Sequence, residues 1–507
     1  MSASILRRFS ATLAANLVGA AVAFAASIVL ARGLGAETYG DFNFLLASFA
    51  AINAWLDLGT STAVFTFLSK GKDSRRHFRA YSFWLGLRFA VVALAVGLLL
   101  PSGWIDRIWL GHGRGLVLLA FAGFFASVPV RAFLIQAAES VRRTLFIQSA
   151  VAAVSVAHLA LVLTLLVSGR LSVPNLLLLL VAEYAALAVY FGLRFDWSLL
   201  SAAGSERPWK EFFGQYATYC SPLVLYSFIG FVYEFADRWL LQYFGGSAQQ
   251  GFFSLTHKFA MLGVLATTSL LNIFWKEIAE AERKGDKERV RSLYRRSSRA
   301  LFFIAAAVGC FLIPHSRTLL IRLVGPEYEA AWPALSLMFV FPMFQTLGQL
   351  NGTFFFATED TKTHVLFSSA AMVLSLPVTY FLLAEPSAAV PGLGLGATGL
   401  AARWSFWTMF TVSAQSWIVC RRQRASTDII HPFLVLALLL ALGAASKALA
   451  AALCGLAPVA GADLWAFALS APLYAAGAIA LVLLLPEHVG TERAQLARIL
   501  PWRPESL

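Results

Sequence analysis

The chain has 507 residues, of which 59% are hydrophobic and only 13% are charged, and its formal net charge at pH 7 is +13. Ordinary globular chains contain about 45–50% apolar and about 25% charged residues. Because a water-soluble fold could not hide this much apolar surface, the composition excludes a soluble enzyme, a disulfide-rich secreted scaffold and a disordered chain. It predicts a polytopic membrane protein.

Apolar stretches long enough to cross a bilayer recur along the whole chain. A transmembrane helix needs about 20 mostly apolar residues, and the pattern predicts an all-α polytopic membrane protein with about 14 transmembrane helices. The connecting segments are short, which leaves no room for a large soluble domain. In chain order the predicted spans cover 10–31, 39–68, 80–100, 115–138, 146–168, 171–193, 212–244, 250–275, 300–321, 332–356, 363–384, 393–419, 432–454 and 463–485.

The distribution of basic residues predicts how these spans are oriented. Cytoplasmic loops of membrane proteins carry an excess of Lys and Arg. With the N-terminus in the cytoplasm, most of the 40 Lys and Arg residues fall in cytoplasmic segments, above all in 70–79 and 276–299. The pattern predicts a protein of the cell inner (plasma) membrane with cytoplasmic N- and C-termini. The positive net charge is explained by basic residues in the cytoplasmic loops, which orient the spans and attract anionic membrane lipid. No nucleic-acid partner is therefore predicted.

A weak internal repeat indicates a duplication. The segment LARGLGAETYGDF at 30–42 aligns with LQYFGGSAQQGFF at 241–253. The alignment has an offset of 211 residues and superimposes two glycine pairs, Gly35 with Gly246 and Gly40 with Gly251. A second match, at an offset of 214 residues, pairs Gly111 with Gly325.

The duplication predicts two six-helix bundles, at 1–205 and 206–420, followed at 421–507 by two further helices and a cytoplasmic tail. Both bundles would begin on the cytoplasmic side, as parallel repeats about an axis along the membrane normal. Carriers that work by alternating access are built in this way and bind their substrate between the halves.

Several short motifs resemble those of a known transporter family. They are Leu30-Ala31-Arg32-Gly33-Leu34-Gly35 with Glu37, Tyr39-Gly40 and Phe42; Asp57-Leu58-Gly59; Asp237-Arg238 with Gly245-Gly246 and Gly251-Phe252-Phe253-Ser254-Leu255; and Leu323-Val324-Gly325 with Tyr328 and Ala331. Together they resemble the polysaccharide-transporter branch of the MOP superfamily, the Wzx-type flippases of lipid-linked oligosaccharides. The resemblance implies a MATE-like MOP fold and a lipid-linked oligosaccharide substrate.

Ionisable side chains within the spans are the candidate functional residues, because charges at membrane depth are costly and usually face a cavity or one another. Arg can bind phosphate or carboxylate through two nitrogen atoms, so cations suit the diphosphate and acidic sugars of such a substrate. The predicted substrate-binding residues are Arg131, Arg88, Arg238, Arg403, Lys258 and Asn16. The predicted ion-coupling residues are Glu183, Asp57, Asp237 and Glu234.

Structural pairing is the alternative at several of these positions. Glu234 and Arg238 are four residues apart, so they share a helix face and could neutralise each other. Asp57 and Arg88 lie on neighbouring predicted spans and could also pair. Glu183 has no partner nearby in the sequence, which suits proton coupling.

The sequence predicts transport rather than catalysis. It contains no Walker motif and no CxxC spacing, so no enzyme activity, cofactor or metal site is predicted. The hypothesis is an inner-membrane flippase that moves a polyprenyl-diphosphate-linked repeat unit of O-antigen, capsule or exopolysaccharide to the outer face by alternating access. Coupling to H+ or Na+ and a polysaccharide polymerase partner stay open. The alternatives are an ion-coupled exporter of small molecules or drugs with the same fold, and a polysaccharide polymerase or ligase.

Overall fold

The computed structural model describes residues 3–70, 73–200, 209–423, 428–455 and 462–490, and every regular element in these ranges is a helix. The predicted all-α class is confirmed. The chain forms two compact units, Met1–Gly251 and Phe252–Leu507. The bundle boundaries inferred from the repeat, at 205 and 420, stay a prediction.

The first unit combines long helices with short ones. A π-helical turn at Ala126–Val130 joins α5 to α6 and contains Pro129. Because proline lacks an amide hydrogen and its ring crowds the preceding turn, it favours such a local break in the α-helical hydrogen-bond pattern. The helices are α1 (Ala3–Asp57), α2 (Thr60–Ser69), α3 (Ser74–Leu94), α4 (Ser102–Ile108), α5 (Arg114–Phe125), α6 (Arg131–Ser140), α7 (Thr144–Val167), α8 (Val173–Arg194), α9 (Trp209–Cys220) and the first part of α10 (Val224–Arg283).

Two helices are each interrupted by one glycine. Gly35 within α1 has φ 74° and ψ 169°, and Gly246 within α10 has φ 76° and ψ 179°. This backbone region is essentially restricted to glycine. The two residues are the pair that the predicted repeat superimposes, so the same break occurs at both of these positions.

The structure contains fewer span-length apolar helices than predicted. Among the described residues, 10 helices are long and apolar enough to cross a membrane, or 11 if the bent pair Lys210–Cys220 and Val224–Val264 is one span. The count of 14 is therefore not confirmed. Two predicted pairs of spans lie on either side of a glycine break, Gly35 in α1 and Gly246 in α10, so each pair is counted once although the chain has two helical segments there. The helix that covers predicted span 393–419 is not among the 10 or 11 apolar helices.

The two interrupted helices contact each other next to their glycine breaks. A Cβ atom added to Gly40 would lie 1.8 Å from the carbonyl oxygen of Ser247, and one added to Gly251 would lie 2.1 Å from the carbonyl oxygen of Ala36. At the repeat offset, Ala36 is equivalent to Ser247 and Gly40 to Gly251. The contact is therefore reciprocal, and it requires glycine on both sides. We call these four residues the glycine-turn contact.

In the second unit, α14 packs against α11 and α16, and α17 packs against α18. Its core includes Phe302, Met343, Phe344 and Leu439. The Nη1 atom of Arg299, on α11, donates to the carbonyl of Glu487, which follows α18, at 2.8 Å. After the rest of α10, the helices described here are α11 (Lys287–Leu312), α12 (Ser316–Leu323), α13 (Trp332–Met338), α14 (Phe341–Ala357), α15 (Thr361–Leu383), α16 (Gly396–Arg422), α17 (Ile430–Gly455) and α18 (Ala462–Leu484).

Candidate functional site

Most of the predicted binding and coupling residues belong to the first unit. Asn16 lies in α1 among residues whose side chains are outside the described part of the structure. Lys258 and Arg403 belong to the second unit. The remainder, all in the first unit, are Arg88, Arg131, Asp57, Glu183, Glu234, Asp237 and Arg238.

Arg88 and Asp57 form a buried ion pair. The side chain of Arg88, on α3, is 4% exposed, and its Nη1 atom lies 2.8 Å from Asp57 Oδ1. Its Nη2 atom donates to the side-chain oxygen of Asn53. The second carboxylate oxygen of Asp57 accepts a hydrogen bond from Ser61 Oγ at 2.7 Å. The geometry shows the pairing considered from the sequence, while a role of either residue in substrate binding or ion coupling stays a prediction.

Glu183 has a partner that sequence reasoning missed. The Nδ1 atom of His158, on α7, lies 2.9 Å from Glu183 Oε2, on α8. Glu183 has no partner nearby in the sequence, but it has one in the fold, and its role in ion coupling stays a prediction. The two residues are 25 positions apart, so a search confined to neighbouring positions could not find the pair. The available signal was His158 itself, a polar side chain in an otherwise apolar span.

Arg131 begins α6, directly after the π-helical turn. Its guanidinium carbon lies 5.8 Å from the centre of the Tyr184 ring, which is a cation–π distance. On α10, Asp237 is buried and lies next to Arg238, while Glu234 is one helical turn earlier. The first unit therefore holds a partly buried cation on α6 and a compact group of three charges on α10.

The second unit contains a buried cation on α16. The side chain of Arg403 is 2% exposed, and its Nη2 atom donates to Ser375 Oγ, on α15, at 2.7 Å. Lys258 lies on the part of α10 that belongs to this unit and is half-buried. The predicted role of both residues in substrate binding stays a prediction.

An apolar cavity of about 400 Å³ lies in the first unit, beside α2, α3 and α9. Ligand pockets commonly have volumes of about 300–1,000 Å³. One wall adjoins the buried ion pair, because Tyr81 Oη lies 3.5 Å from Asp57 Oδ1. The lining is mostly aromatic and aliphatic and consists of Leu58, Thr60, Ala80, Tyr81, Trp84, Phe212, Phe213, Tyr216, Ala217, Cys220, Ser221 and Val224.

One basic side chain, that of Arg76 at the beginning of α3, contacts a wall of this cavity. The guanidinium carbon of Arg76 lies 4.7 Å from the centre of the ring of Phe212, which lines the cavity. Arg75 and Arg79 lie on the first two turns of the same helix. The arrangement can hold an apolar chain in the cavity while an anionic group lies near Arg76.

A polar cluster that sequence reasoning also missed surrounds Asp41, beside the glycine-turn contact. Asp41 Oδ1 accepts hydrogen bonds from Ser247 Oγ at 2.6 Å and from Gln242 Nε2 at 3.1 Å. The Nε2 atom of His112 lies 3.3 Å from the same oxygen. Asp41 and Ser247 each directly follow a glycine of the repeat, which was the signal available in the sequence.

Comparison with known proteins identifies the family of this chain. Residues 5–274, more than half of its length, match the family described as "Polysaccharide biosynthesis protein". The chain belongs to the polysaccharide biosynthesis protein family. No curated protein matches its sequence significantly.

Solved structures of MOP transporters share the fold of this family member. The lipid II flippase MurJ in its inward closed conformation has a TM-score of 0.67 and 11% sequence identity, and the match covers 95% of this chain and 99% of MurJ. An inward-facing multidrug resistance MATE transporter has a TM-score of 0.62 and 15% sequence identity. This match covers 80% of this chain and 94% of the MATE transporter. A MOP superfamily transporter from Pyrococcus furiosus has a TM-score of 0.55 and 14% sequence identity. This match covers 83% of this chain and 95% of that transporter.

The predicted MATE-like MOP fold is thereby confirmed, and the family that matches agrees with the polysaccharide-transporter resemblance. This member of the polysaccharide biosynthesis protein family is a multi-pass membrane protein, with span-length apolar helices and the fold of transporters. A lipid flippase and a multidrug transporter both have this fold. The cargo must therefore be argued from the site rather than from the fold.

Proposed function

We propose that the protein is a flippase that moves a polyprenyl-diphosphate-linked oligosaccharide across the cell inner membrane by alternating access. The observation that carries the proposal is the apolar cavity with Arg76 at its wall. A polyprenyl chain is apolar and a diphosphate is anionic, so one substrate molecule suits both features.

The orientation proposed from the basic loops puts both termini and segment 70–79 in the cytoplasm. The cavity then lies at the cytoplasmic end of the first unit, where a newly made lipid-linked sugar arrives. The first isoprene units occupy the cavity while the rest of the chain stays in the bilayer. Arg76 and its neighbours on α3 bind the diphosphate, because a guanidinium can donate two parallel hydrogen bonds to a phosphate.

The structural comparison supports lipid cargo over small cations. MurJ, a lipid II flippase by name, matches 95% of this chain, whereas the inward-facing MATE transporter matches 80%. An arginine at the cavity wall attracts anions and repels organic cations. These two observations favour a lipid-linked anion over the drug-exporter alternative.

The sugar head group would bind to other charged residues. The candidates for binding it are Arg131, Arg88, Arg238, Arg403, Lys258 and Asn16, and the candidates for coupling transport to H+ or Na+ are Glu183, Asp57, Asp237 and Glu234. The pair of Glu183 with His158 favours H+, because an imidazole nitrogen is a poor ligand for a hard cation such as Na+. A polysaccharide polymerase would be the partner that receives the product on the outer face.

Deletion of the gene should trap the substrate on the cytoplasmic face. The lipid extract of the deletion strain is expected to accumulate a polyprenyl-diphosphate oligosaccharide that probes added outside the inner membrane cannot reach, with loss of surface polysaccharide. Trapped single repeat units on the outer face would instead indicate a polymerase or ligase. Normal surface glycan combined with new drug sensitivity would support the exporter.

Filling the cavity should block export without unfolding the protein. In Ala217→Trp, an indole would occupy space that we assign to the isoprenoid chain. Steric overpacking costs about 1–3 kcal/mol, which corresponds to roughly a fivefold to 150-fold loss of substrate affinity. Export of surface polysaccharide in the deletion strain should fall accordingly, with the amount of protein in the membrane unchanged.

The matched control is Ala90→Trp on α3. Ala90 is exposed and is not part of the cavity wall, so this variant should export normally. Full export by Ala217→Trp, at the same membrane level as the control, would remove the cavity from the substrate path.

A further inference from the structure

Three side chains converge on one carboxylate oxygen beside the glycine-turn contact. Asp41 Oδ1 accepts from Ser247 Oγ and Gln242 Nε2 and faces His112 Nε2. The His112 side chain is 11% exposed and that of Asp41 is 32% exposed. Three segments of the chain therefore meet at Asp41: the part of α1 after Gly35, the connection between α4 and α5, and the region of α10 around Gly246.

The hydrogen-bond geometry fixes how many protons His112 and Asp41 hold together. His112 Nδ1 contacts the carbonyl oxygen of Trp109. A carbonyl oxygen only accepts, so Nδ1 carries a hydrogen. Nε2 faces a carboxylate oxygen, so one further proton must lie between Nε2 and Oδ1 for a hydrogen bond to form. With this proton the pair is an imidazolium beside a carboxylate, and without it two acceptors face each other.

The surroundings favour the ionised carboxylate. Ser247 and Gln242 both donate to Asp41 Oδ1, and donors to a carboxylate stabilise its charged form. The imidazolium form of His112 is then the partner that completes the site. Burial opposes this charge, but the hydrogen bond and the charge of Asp41 outweigh burial, so the pKa of His112 lies above its ordinary value.

The charged groups of the neighbouring elements do not compete with Asp41. Among the described residues, Asp41 on α1 is the charged group that acts on His112. On α5, the guanidinium of Arg114 donates to the carbonyls of Gly97 and Leu100, at 3.1 and 2.7 Å. From α10, Gln242 and Ser247 contribute uncharged donors.

We propose that His112 and Asp41 form a proton-binding site whose proton stabilises the glycine-turn contact. Asp41 directly follows Gly40 on one side of that contact, and Ser247 is the residue on which Gly40 packs. The proton lets His112 join the two donors from α10 in holding the carboxylate, and its loss places two acceptors against each other and weakens the contact. In the proposed orientation this end of the unit faces the outside, so the proton comes from there.

The expected pH dependence follows from the direction of the pKa change. A histidine whose pKa is raised on folding contributes stability that is fully present below its ordinary value of 6.5 and is lost as the pH rises through the folded-state pKa. The wild-type protein in detergent should therefore have a higher melting temperature than His112→Gln at pH 5.5. This difference should shrink as the pH rises through the folded-state pKa of His112, which lies above 6.5.

Hydrogen–deuterium exchange then reports the contact directly. After correction for the intrinsic rate, exchange in segments 36–45 and 242–251 of the wild-type protein should increase as the pH rises. The increase should be roughly tenfold for each unit by which closure of the contact raises the pKa. Neither His112→Gln nor Asp41→Asn should show this increase.

Ser247→Ala is the matched control, because it removes one hydrogen bond to Asp41 and leaves the titrating pair in place. It should be less stable at every pH and keep the pH-dependent difference from His112→Gln. A constant difference between wild type and His112→Gln across the pH range would reduce His112 to a structural residue and overturn the proposal. A change on replacing K+ with Na+ at fixed pH would assign the site to a metal cation and overturn it as well.

These measurements need no substrate. Their outcome is therefore independent of whether the cargo is a lipid-linked oligosaccharide, and failure of the proton site would leave the proposed function untouched.

Discussion

Gly40→Ala is expected to lower the melting temperature of the purified protein sharply, because its Cβ would lie 1.8 Å from the carbonyl oxygen of Ser247 and 2.9 Å from the amide nitrogen of Gly251. Both are backbone atoms, which cannot rotate away as a flexible side chain could. The two turns would have to separate. Overpacking of this kind costs about 1–3 kcal/mol and occasionally more, and we expect Gly40→Ala to lie at the upper end of that range.

Gly251→Ala should have a similar effect, because its Cβ would lie 2.1 Å from the carbonyl oxygen of Ala36. The double variant should cost less than the sum of the two, since both substitutions open the same contact. Gly86→Ala on α3 is the control, because nothing lies within 4 Å of its added Cβ. Alanine favours helix by about 1 kcal/mol over glycine, so the control should be unchanged or more stable. Equal melting temperatures for Gly40→Ala and Gly86→Ala would contradict the reciprocal packing.

Arg88→Met is expected to destabilise the protein by about 3–5 kcal/mol, the usual cost of removing one partner of a buried ion pair. The substitution leaves the Asp57 carboxylate, only 17% exposed, without its cation. The measurement is the unfolding midpoint in detergent, next to Arg131→Met. Arg131 is half-buried and contacts the face of Tyr184, so its loss should cost only about 0.5–1 kcal/mol.

The double variant Arg88→Met with Asp57→Asn separates a structural role from a role in substrate binding. It removes both charges together, so it should recover much of the stability lost in Arg88→Met. If export recovers with stability, Arg88 acts as the structural partner of Asp57. If stability recovers and export stays absent, the charge itself is needed for transport. An unchanged melting temperature for Arg88→Met would show that the ion pair contributes little to the fold.

The glycine breaks and the all-α class could be predicted from the sequence, because short segments of the chain determine them. The repeat marked Gly35 and Gly246 as equivalent, and both adopt a conformation that other residues avoid. The all-α class followed from the lengths of the apolar stretches. The count of 14 spans is not confirmed among the described residues. Gly35 and Gly246 each divide one long helix, α1 and α10, into two helical segments, and α16, which covers predicted span 393–419, is not among the apolar helices.

The apolar cavity beside α2, α3 and α9 could not be predicted from the sequence. Its walls come from α2, α3 and α9, and none of these segments has a pattern that distinguishes a cavity wall from a lipid-facing surface. An aromatic side chain suits either environment. The charges were visible in the sequence, but whether an arginine lies beside a cavity depends on how the helices pack.

Apolar length, the glycine breaks and the presence of buried charge are properties of short segments, and the amino-acid order alone specifies them. The pairs that give those charges a role depend on tertiary structure: Glu183 with His158, Arg88 with Asp57, and Asp41 with His112 and Ser247. Each pair joins different helices or a helix and a loop. Successive side chains point about 100° apart around a helix axis, so a partner is determined only when neighbouring helices are chosen and their rotations are fixed by packing.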